Sequence, residues 1–450
     1  MVDQLTSAAS GNKHIEDSPM TPFLVRVAAF TLGGMFTDGY ILGHIGIALA
    51  LAAPLLGLGG LWLGLLAAST LFGILIGAPL AGRLADRFGR RRLLAWDFAL
   101  FAVLALAHLL VNDPATLLAI RTVMGVLIGA EYAIGASVLA EFAPRRQRGT
   151  LLACLNGAWI VGFVAGFASA YGMRAAGLSW HMIFASAAVP AAIVFLVRWG
   201  SPESPRWLVE QGRDTEAKQV VHKFYGPEYG ISGLSGSATT EQEQATFGTL
   251  FSQRYWRRTV FAGGFWAFQV MPLFALTIFL PQVFSALGVE SEFGGEMFVN
   301  GMLLVGAVAG VIAVRLLTRR GLVIWSFAIV AAVLLVMSAA EALPQWAGLG
   351  AFAVFVLVAS AASNLEYVYP SEIFPTEVRA TGMGVAAAMS RVGAVISTFL
   401  LPITLEGLGN APTMIILAGI AGLGVVISVL WAPETKGKLL SEAAEIGDAR

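Results

Sequence analysis

The chain has 450 residues, 57% of them hydrophobic and only 12% charged, with a mean hydropathy of +0.76. A soluble globular domain carries about 25% charged residues, so most of this surface is destined for lipid. The formal net charge of zero argues against a nucleic-acid partner, and the single cysteine, Cys154, excludes a disulfide framework and a thiolate metal site.

Residues 1–21 are polar and mixed in charge without an apolar core, so they read as a disordered cytoplasmic tail rather than a secretory signal. A membrane helix needs roughly 20 largely apolar residues. Twelve such runs follow. Six lie near 22–45, 59–81, 92–111, 115–140, 150–172 and 181–199, an N-terminal bundle over 22–199. The stretch 200–257 is polar, holds Gly and Ser clusters around Ser232 to Ser237, and reads as a cytoplasmic linker with short amphipathic helices such as Pro205 to Gln211. Six more runs lie near 259–284, 296–317, 322–340, 347–369, 380–403 and 412–431, a C-terminal bundle over 258–432, followed by a cytoplasmic tail over 433–450. The expected fold is an all-α integral membrane protein with twelve transmembrane helices in two pseudo-symmetric six-helix bundles. Gly125-x-x-x-Gly129 and Gly162-x-x-x-Gly166 are packing signals that allow close helix contact.

Basic residues in the short loops set the orientation. The loop between the second and third runs carries Arg83, Arg87, Arg90, Arg91 and Arg92; the next even-numbered loops carry Arg145, Arg146 and Arg148, then Arg319 and Arg320. The odd-numbered loops hold only Arg174. The even-numbered connections and both termini are therefore expected in the cytoplasm.

The two halves share a cassette. Glu141 to Thr150 reads E-F-A-P-R-R-Q-R-G-T, and 231 residues later Glu372 to Thr381 reads E-I-F-P-T-E-V-R-A-T, which places Glu141 over Glu372 and Arg148 over Arg379. P-E-S-P at Pro202 and P-E-T-K at Pro433 keep the same spacing, placing Glu203 over Glu434. Such repeats in an apolar chain point to a transporter built from two parallel bundles. The loop Gly82 to Arg91, G-R-L-A-D-R-F-G-R-R, has a weaker echo at Arg315 to Gly321, with Gly89 over Gly321. Arg83, Asp86, Arg90, Glu141, Arg148, Glu203, Glu372, Arg379 and Glu434 then share one side of the membrane. They read as a cytoplasmic gate that latches the bundles in one state and opens in the other, since arginines serving topology alone would not need the acids.

G-R-L-A-D-R-F-G-R-R resembles the loop 2–3 signature of the major facilitator superfamily. P-E-S-P-R-W-L at Pro202 to Leu208, P-E-T-K-G at Pro433 to Gly437 and Y-P-S-E-I-F-P-T-E-V-R-A-T-G at Tyr369 to Gly382 are similar to segments of its sugar porters and their organic-ion and carboxylate relatives. The resemblance implies a secondary transporter that moves a small solute by alternating access. It needs no cofactor or metal, and each chain, holding both halves, is expected to work as a monomer in the inner membrane. No G-x-x-x-x-G-K-[ST] motif is present, so the energy must come from gradients.

Ionisable residues inside a membrane are costly and usually mark a pathway. Asp38 lies about 24 Å along the first run and Arg121 about six residues into the fourth, which runs antiparallel, so both sit at similar depth and can pair. A carboxylate that loses its partner on protonation is a route to proton coupling; the rival reading is a fixed ion pair. The resemblance agrees, because proton-linked sugar porters place an acid in helix 1 and an arginine at the start of R-x-x-x-G in helix 4, here Arg121 and Gly125. Glu131, about 15 Å further along, is a second proton station or the partner of a basic residue in the first or eleventh run. Gln269 stands 231 residues after Asp38, so the second half keeps a polar group, a solute ligand or a packing amide, where the first has an acid. Arg391, near the midplane, reads as a clamp for a solute carboxylate or as the partner of Glu131 or Glu366. Asn156, Trp159, Trp266, Asn300, Asn364 and Tyr367 are candidate cavity-lining residues, with packing the plainer alternative for each.

The chain departs from the sugar-porter pattern. It has Gln269-Val270-Met271-Pro272 instead of paired glutamines and glycine, Asn364-Leu365-Glu366-Tyr367 where a tryptophan is usual, and Arg391-Val392-Gly393 as in organic-ion relatives. The expectation is proton symport of a small carboxylate or related organic ion, with a sugar or polyol second. A facilitator without coupling and a non-transporting receptor on the same fold remain as rivals. Clustered His, Cys or acid motifs that would suggest a membrane enzyme are absent from the sequence.

Overall fold

The computed structural model describes residues 13–231, 234, 247–287, 293–339, 344–374 and 376–436. The apolar runs become α1 (Pro22–Leu56), α2 (Gly60–Phe88), α3 (Arg90–Ala107), α4 (Pro114–Phe142), α5 (Arg145–Ala175), α6 (Trp180–Arg198), α7 (Trp256–Ile278), α8 (Phe293–Leu316), α9 (Arg319–Ser338), α10 (Gln345–Ile373), α11 (Thr376–Leu408) and α12 (Asn410–Trp431). Among the described residues, eleven are long and apolar enough to cross a bilayer, and α3 contributes the shorter apolar stretch Trp96–Leu110. Several helices outrun their apolar cores. The first continues past residue 45 to Leu56, where Gly57 in the left-handed region ends it. The seventh run breaks at Phe279 and resumes as the short helix Leu280–Ala286; α6 is interrupted at 186–187 and α10 turns at Asn364.

Local chemistry starts the helices. Thr21 and Asp113 cap α1 and α4, each followed by a proline at the first turn, where its missing N–H costs nothing. The closest helix pairs repeat between the halves: α1 with α5 as α7 with α11, α2 with α4 as α8 with α10, and α3 with α6 as α9 with α12. Small residues make these seams tight. A Cβ on Gly39 or Gly43 would overlap the backbone of Trp159 or Phe163, and one on Gly162 or Gly166 would overlap that of Phe36 or Tyr40.

The halves join through α2 against α11 and α5 against α8. At the end away from the arginine loops, Gly46 lies against the Ile278 carbonyl, Gly64 against that of Phe399, and the Gly60 N–H donates to the Glu406 carboxylate. At the arginine-rich end the linker forms helices Pro205–Glu210 and Asp214–Phe224. The Ser232–Ser237 cluster lies, apart from Leu234, outside the described residues.

The N-terminal segment differs from the expected loose tail. β1 (Lys13–His14) pairs in parallel with β2 (Tyr229–Gly230) in the linker, and Glu16 forms ion pairs with Arg148, at 3.1 Å, and with Arg206. Partial burial pushes the Glu16 carboxyl up, but the two guanidiniums outweigh it and hold the group below its usual value. Polar composition alone hid this order, because the partners come from far along the chain.

Candidate functional site

At the arginine-rich end two clamps repeat. Arg90 pairs with Glu141, and Ser204 Oγ donates to the same carboxylate at 2.6 Å. Glu203 accepts the backbone N–H groups of Arg90 and Arg91 at 3.1 and 3.2 Å, satisfying two donors left free by the start of α3. Gly89 makes room for it: the residue has φ of 90°, and a Cβ there would run into the Glu203 carboxylate. In the second half Arg319 pairs with Glu372 at 3.2 Å, Thr435 Oγ1 donates to Glu372 at 2.5 Å, and Glu434 accepts the N–H groups of Arg319 and Arg320 at 3.0 and 3.2 Å.

Two expectations change here. Arg319 takes the place of Arg90, so the echo is displaced by three residues from the alignment of Gly89 with Gly321. The described ion pairs also stay within their own half and do not bridge the bundles, because each carboxylate caps a helix start or an arginine of its own bundle. Arg83 is exposed, Arg148 reaches Glu16 and the Ala143 carbonyl, and the side chains of Asp86 and Arg379 lie outside the described residues. Sequence reasoning passed over Ser204 and Thr435, although both follow the repeated glutamates in register.

In the membrane interior, six helices converge. Asp38 on α1 is 2% exposed, and its Oδ2 accepts the Trp159 indole N–H of α5 at 2.8 Å. The Gly39 seam brings the two helices close enough for that bond. Tyr132 of α4 stands beside this carboxyl as well. Arg391 of α11, from the other half, lies 4.8 Å over the Tyr132 ring and within electrostatic reach of both Asp38 and Glu366. Trp266 of α7 stands beside the Glu366 carboxyl of α10, and the Trp159 and Phe274 rings meet across the halves at 5.8 Å. The result is one guanidinium within electrostatic reach of two acids, among aromatic rings, where the halves meet.

Arg121 is not the counter-charge of Asp38 in this structure. Its guanidinium donates to Thr70 Oγ1 at 2.9 Å and to the Leu66 carbonyl at 3.2 Å, and lies 4.8 Å over Phe184. Neither the depth nor the facing expected from helix rise holds: the α4 residue beside Asp38 is Tyr132, eleven residues along from Arg121, and Arg121 shares a face with Gly125, which abuts Thr70 and Gly73 of α2. Glu131 points the other way, toward α1, where Gly34 leaves it space. It binds neither α1 nor α11 but Arg198 at the end of α6, at 2.9 and 2.8 Å. Asp97 of α3 stands 3.8 Å from the same guanidinium. Asp97 was legible by the rule that singled out Asp38, an acid inside an apolar run; Arg198, at a run's edge, carries no such signal.

The remaining candidates divide. Gln269 donates to the Ala359 carbonyl at 2.8 Å, while its buried Oε1 has no partner among the described residues. Asn364 donates to the Ala307 carbonyl at 3.1 Å, tying α10 to α8, and Asn300 donates to the Glu296 carbonyl one turn back within α8 at 2.9 Å. Asn156 is half-buried one turn before Trp159, and the Tyr367 side chain lies outside the described residues. Among the described residues no group of His, Cys, Asp and Glu is arranged to hold a metal ion.

Residues 31–446 match the family described as sugar (and other) transporters. The inner membrane metabolite transport protein YgcS of Escherichia coli is 38% identical over 438 residues, covering 97% of each chain. The arabinose-proton symporter of Bacillus subtilis is 28% identical, covering 94% of this chain and 95% of that one. An inward-open structure of the xylose transporter XylE from E. coli superposes with a TM-score of 0.78 at 21% identity, covering 93% of this chain and 99% of that one.

Proposed function

The chain belongs to the sugar transporter family of the major facilitator superfamily, and on that premise we propose that it is a proton-coupled symporter of a small organic carboxylate or related organic ion. One observation carries this reading: Arg391, from one half, lies 4.8 Å over the Tyr132 ring of the other, within electrostatic reach of Asp38 and Glu366. Protonation of Asp38 removes one competitor for the guanidinium and frees it for a solute carboxylate, so proton and anion bind together. Charge-assisted bonds of this type are worth roughly 1.5–3 kcal/mol each. Rocking of the halves about this junction then carries both across. Trp159 and Tyr132 hold Asp38, and the Gln269 Oε1 offers an acceptor to a solute hydroxyl. Arg121, set among Thr70, Leu66 and Phe184, braces α4 on α2 rather than coupling directly. The Arg90–Glu141–Glu203 and Arg319–Glu372–Glu434 clamps hold the helix ends that move as each half rocks. We place the arginine-rich face in the cytoplasm and the protein in the inner membrane, as a monomer; the E. coli relative named for that membrane supports the second point.

The second reading, a proton-linked sugar or polyol transporter, draws on the family match, the arabinose-proton symporter and Gln269. A thermal-shift panel of mono- and dicarboxylates against pentoses and polyols, on the native chain and on Arg391→Ala, separates the two. Stabilisation by carboxylates that is lost in the variant supports the clamp. Stabilisation by sugars alone, unchanged in the variant, assigns the site to the second reading.

A further inference from the structure

Below Asp38, toward the arginine-rich end, lies the cluster of Asp97, Glu131 and Arg198. All three are buried, at 7%, 3% and 4% exposure. Arg198 is pinned between the Phe30 and Phe98 rings at 4.9 and 5.0 Å and chelates Glu131 with one nitrogen. The other terminal nitrogen donates to the Leu94 carbonyl at 3.3 Å. Asp97 Oδ2, at 3.8 Å, is too far for a hydrogen bond, and neither it nor Arg198 Nε has a partner among the described residues.

Two acids face one cation. The neighbouring charges are spent elsewhere: Arg26 of α1 on the Val197 and Trp199 carbonyls, Arg90 of α3 on Glu141 of α4, and Arg121 of α4 on Thr70 of α2. Arg83 and Arg87 of α2 are exposed, and on α11 Arg391 serves Asp38 and Glu366. With both carboxylates ionised the cluster would carry an uncompensated charge in the membrane interior, which is expensive; a single proton between them makes it neutral.

Two cavities put this cluster in line. One, of about 10 Å³, the room a single water needs, is bordered by Asp38, Asp97, Glu131 and Tyr132. The other, of about 250 Å³, lies at the arginine-rich end and is bordered by Phe30, Arg198, Arg90, Arg91 and Glu203. Arg198 and its ring partner Phe30 thus stand between the acids and the larger cavity.

We propose that Asp97, Glu131 and Arg198 form a second proton-binding site that takes the proton from Asp38 and passes it to the cavity at the arginine-rich end. The proton leaves the Asp38 carboxyl, crosses the small cavity to a carboxylate oxygen of Glu131 or Asp97, and displaces the resident proton past Arg198. The solute, held at Arg391, leaves by a separate route between the halves. This rests on the proton-coupled reading of Asp38.

Infrared titration of the purified full chain, with pH as the only variable, tests it without a solute. The native protein is expected to show one protonated-carboxyl band at neutral pH that titrates separately from that of Asp38. Asp97→Asn and Glu131→Gln should each abolish it, because each leaves a one-to-one ion pair; Arg198→Gln should double it; Asp97→Glu should restore it. If Arg198→Gln does not fold, the two single-acid variants carry the test. Asp38→Asn should remove its own band and move the titration of the cluster. A native spectrum without the cluster band, or one unchanged in both acid variants, overturns the site and leaves Asp38 untouched. A cluster titration that does not move in Asp38→Asn overturns the relay. If Asp38→Asn removes no titrating band, the coupling role of Asp38 fails and the relay with it.

Discussion

In the first half Glu141 clasps Arg90 and Glu203 caps the start of α3; in the second, Glu372 clasps Arg319 and Glu434 caps the start of α9. Deeper in the membrane this correspondence stops. Stepping 231 residues from Asp38, Arg121 and Glu131 leads to Gln269, Phe352 and Ala362, while Glu366 and Arg391 belong to the second half alone. A clamp built twice serves something both bundles need, namely helix ends held rigidly through movement. A buried charge is too costly to keep without a task, so a charge present in one half only marks a task that half performs. On the proposed reading, the first half handles the proton and the second presents the cation for the solute.

The largest expected effect follows from breaking that asymmetry at its centre. Asp38→Asn should reduce accumulation driven by an imposed pH gradient in proteoliposomes to the level of diffusion, while solute exchange at equal pH continues. Accumulation at the native level in this variant would remove Asp38 from the coupling. Next comes Arg391→Ala, which should weaken carboxylate binding about 10- to 100-fold, the loss of one charge-assisted interaction of roughly 1.5–3 kcal/mol; titration calorimetry reads it directly. Arg391→Lys should recover only part, since a lysine cannot present the planar fork.

The repeated clamps sharpen the comparison from the other side. Glu141→Gln and Glu372→Gln should each lower the melting temperature modestly and by similar amounts, consistent with about 1 kcal/mol for a partly exposed ion pair. A large effect in one half alone would show that the two clamps are not equivalent. The smallest effect belongs to Glu16, which only the first half possesses. Its carboxyl is held below the usual value by Arg148 and Arg206, so its contribution is full above the unfolded value of about 4.3 and is lost as pH falls through the lower folded one. The protection factors of the amides of residues 13–17, taken relative to intrinsic exchange at each pH, should therefore fall only in acid, and Glu16→Gln should lower them at every pH.

Particular residues show how far the chain could be read unaided. Asp38 was legible because an acid in an apolar run has no cheap explanation. The partners of Glu141 and Glu203 were half legible: the glutamates repeat at a fixed spacing, but their engagement within each half depends on where the helix ends fall. Arg121 was given both the wrong level and the wrong neighbour, since Tyr132, eleven residues along α4, is the residue that stands beside Asp38. The Asp97–Glu131–Arg198 cluster draws on α3, α4 and α6, three separate runs with no common spacing.

The sequence alone determined the all-helical membrane architecture, its two-fold repetition and the buried acid at its centre, because hydropathy, repeat spacing and the cost of burying charge act along one dimension. The tertiary structure decided which charges meet. Rise along a helix is constant, but the level and facing of one helix against another follow from where each helix starts and from the glycine seams that set α1 on α5 and α2 on α4. Those seams turn Asp38 toward Trp159, Arg121 toward Thr70 and Glu131 toward Arg198.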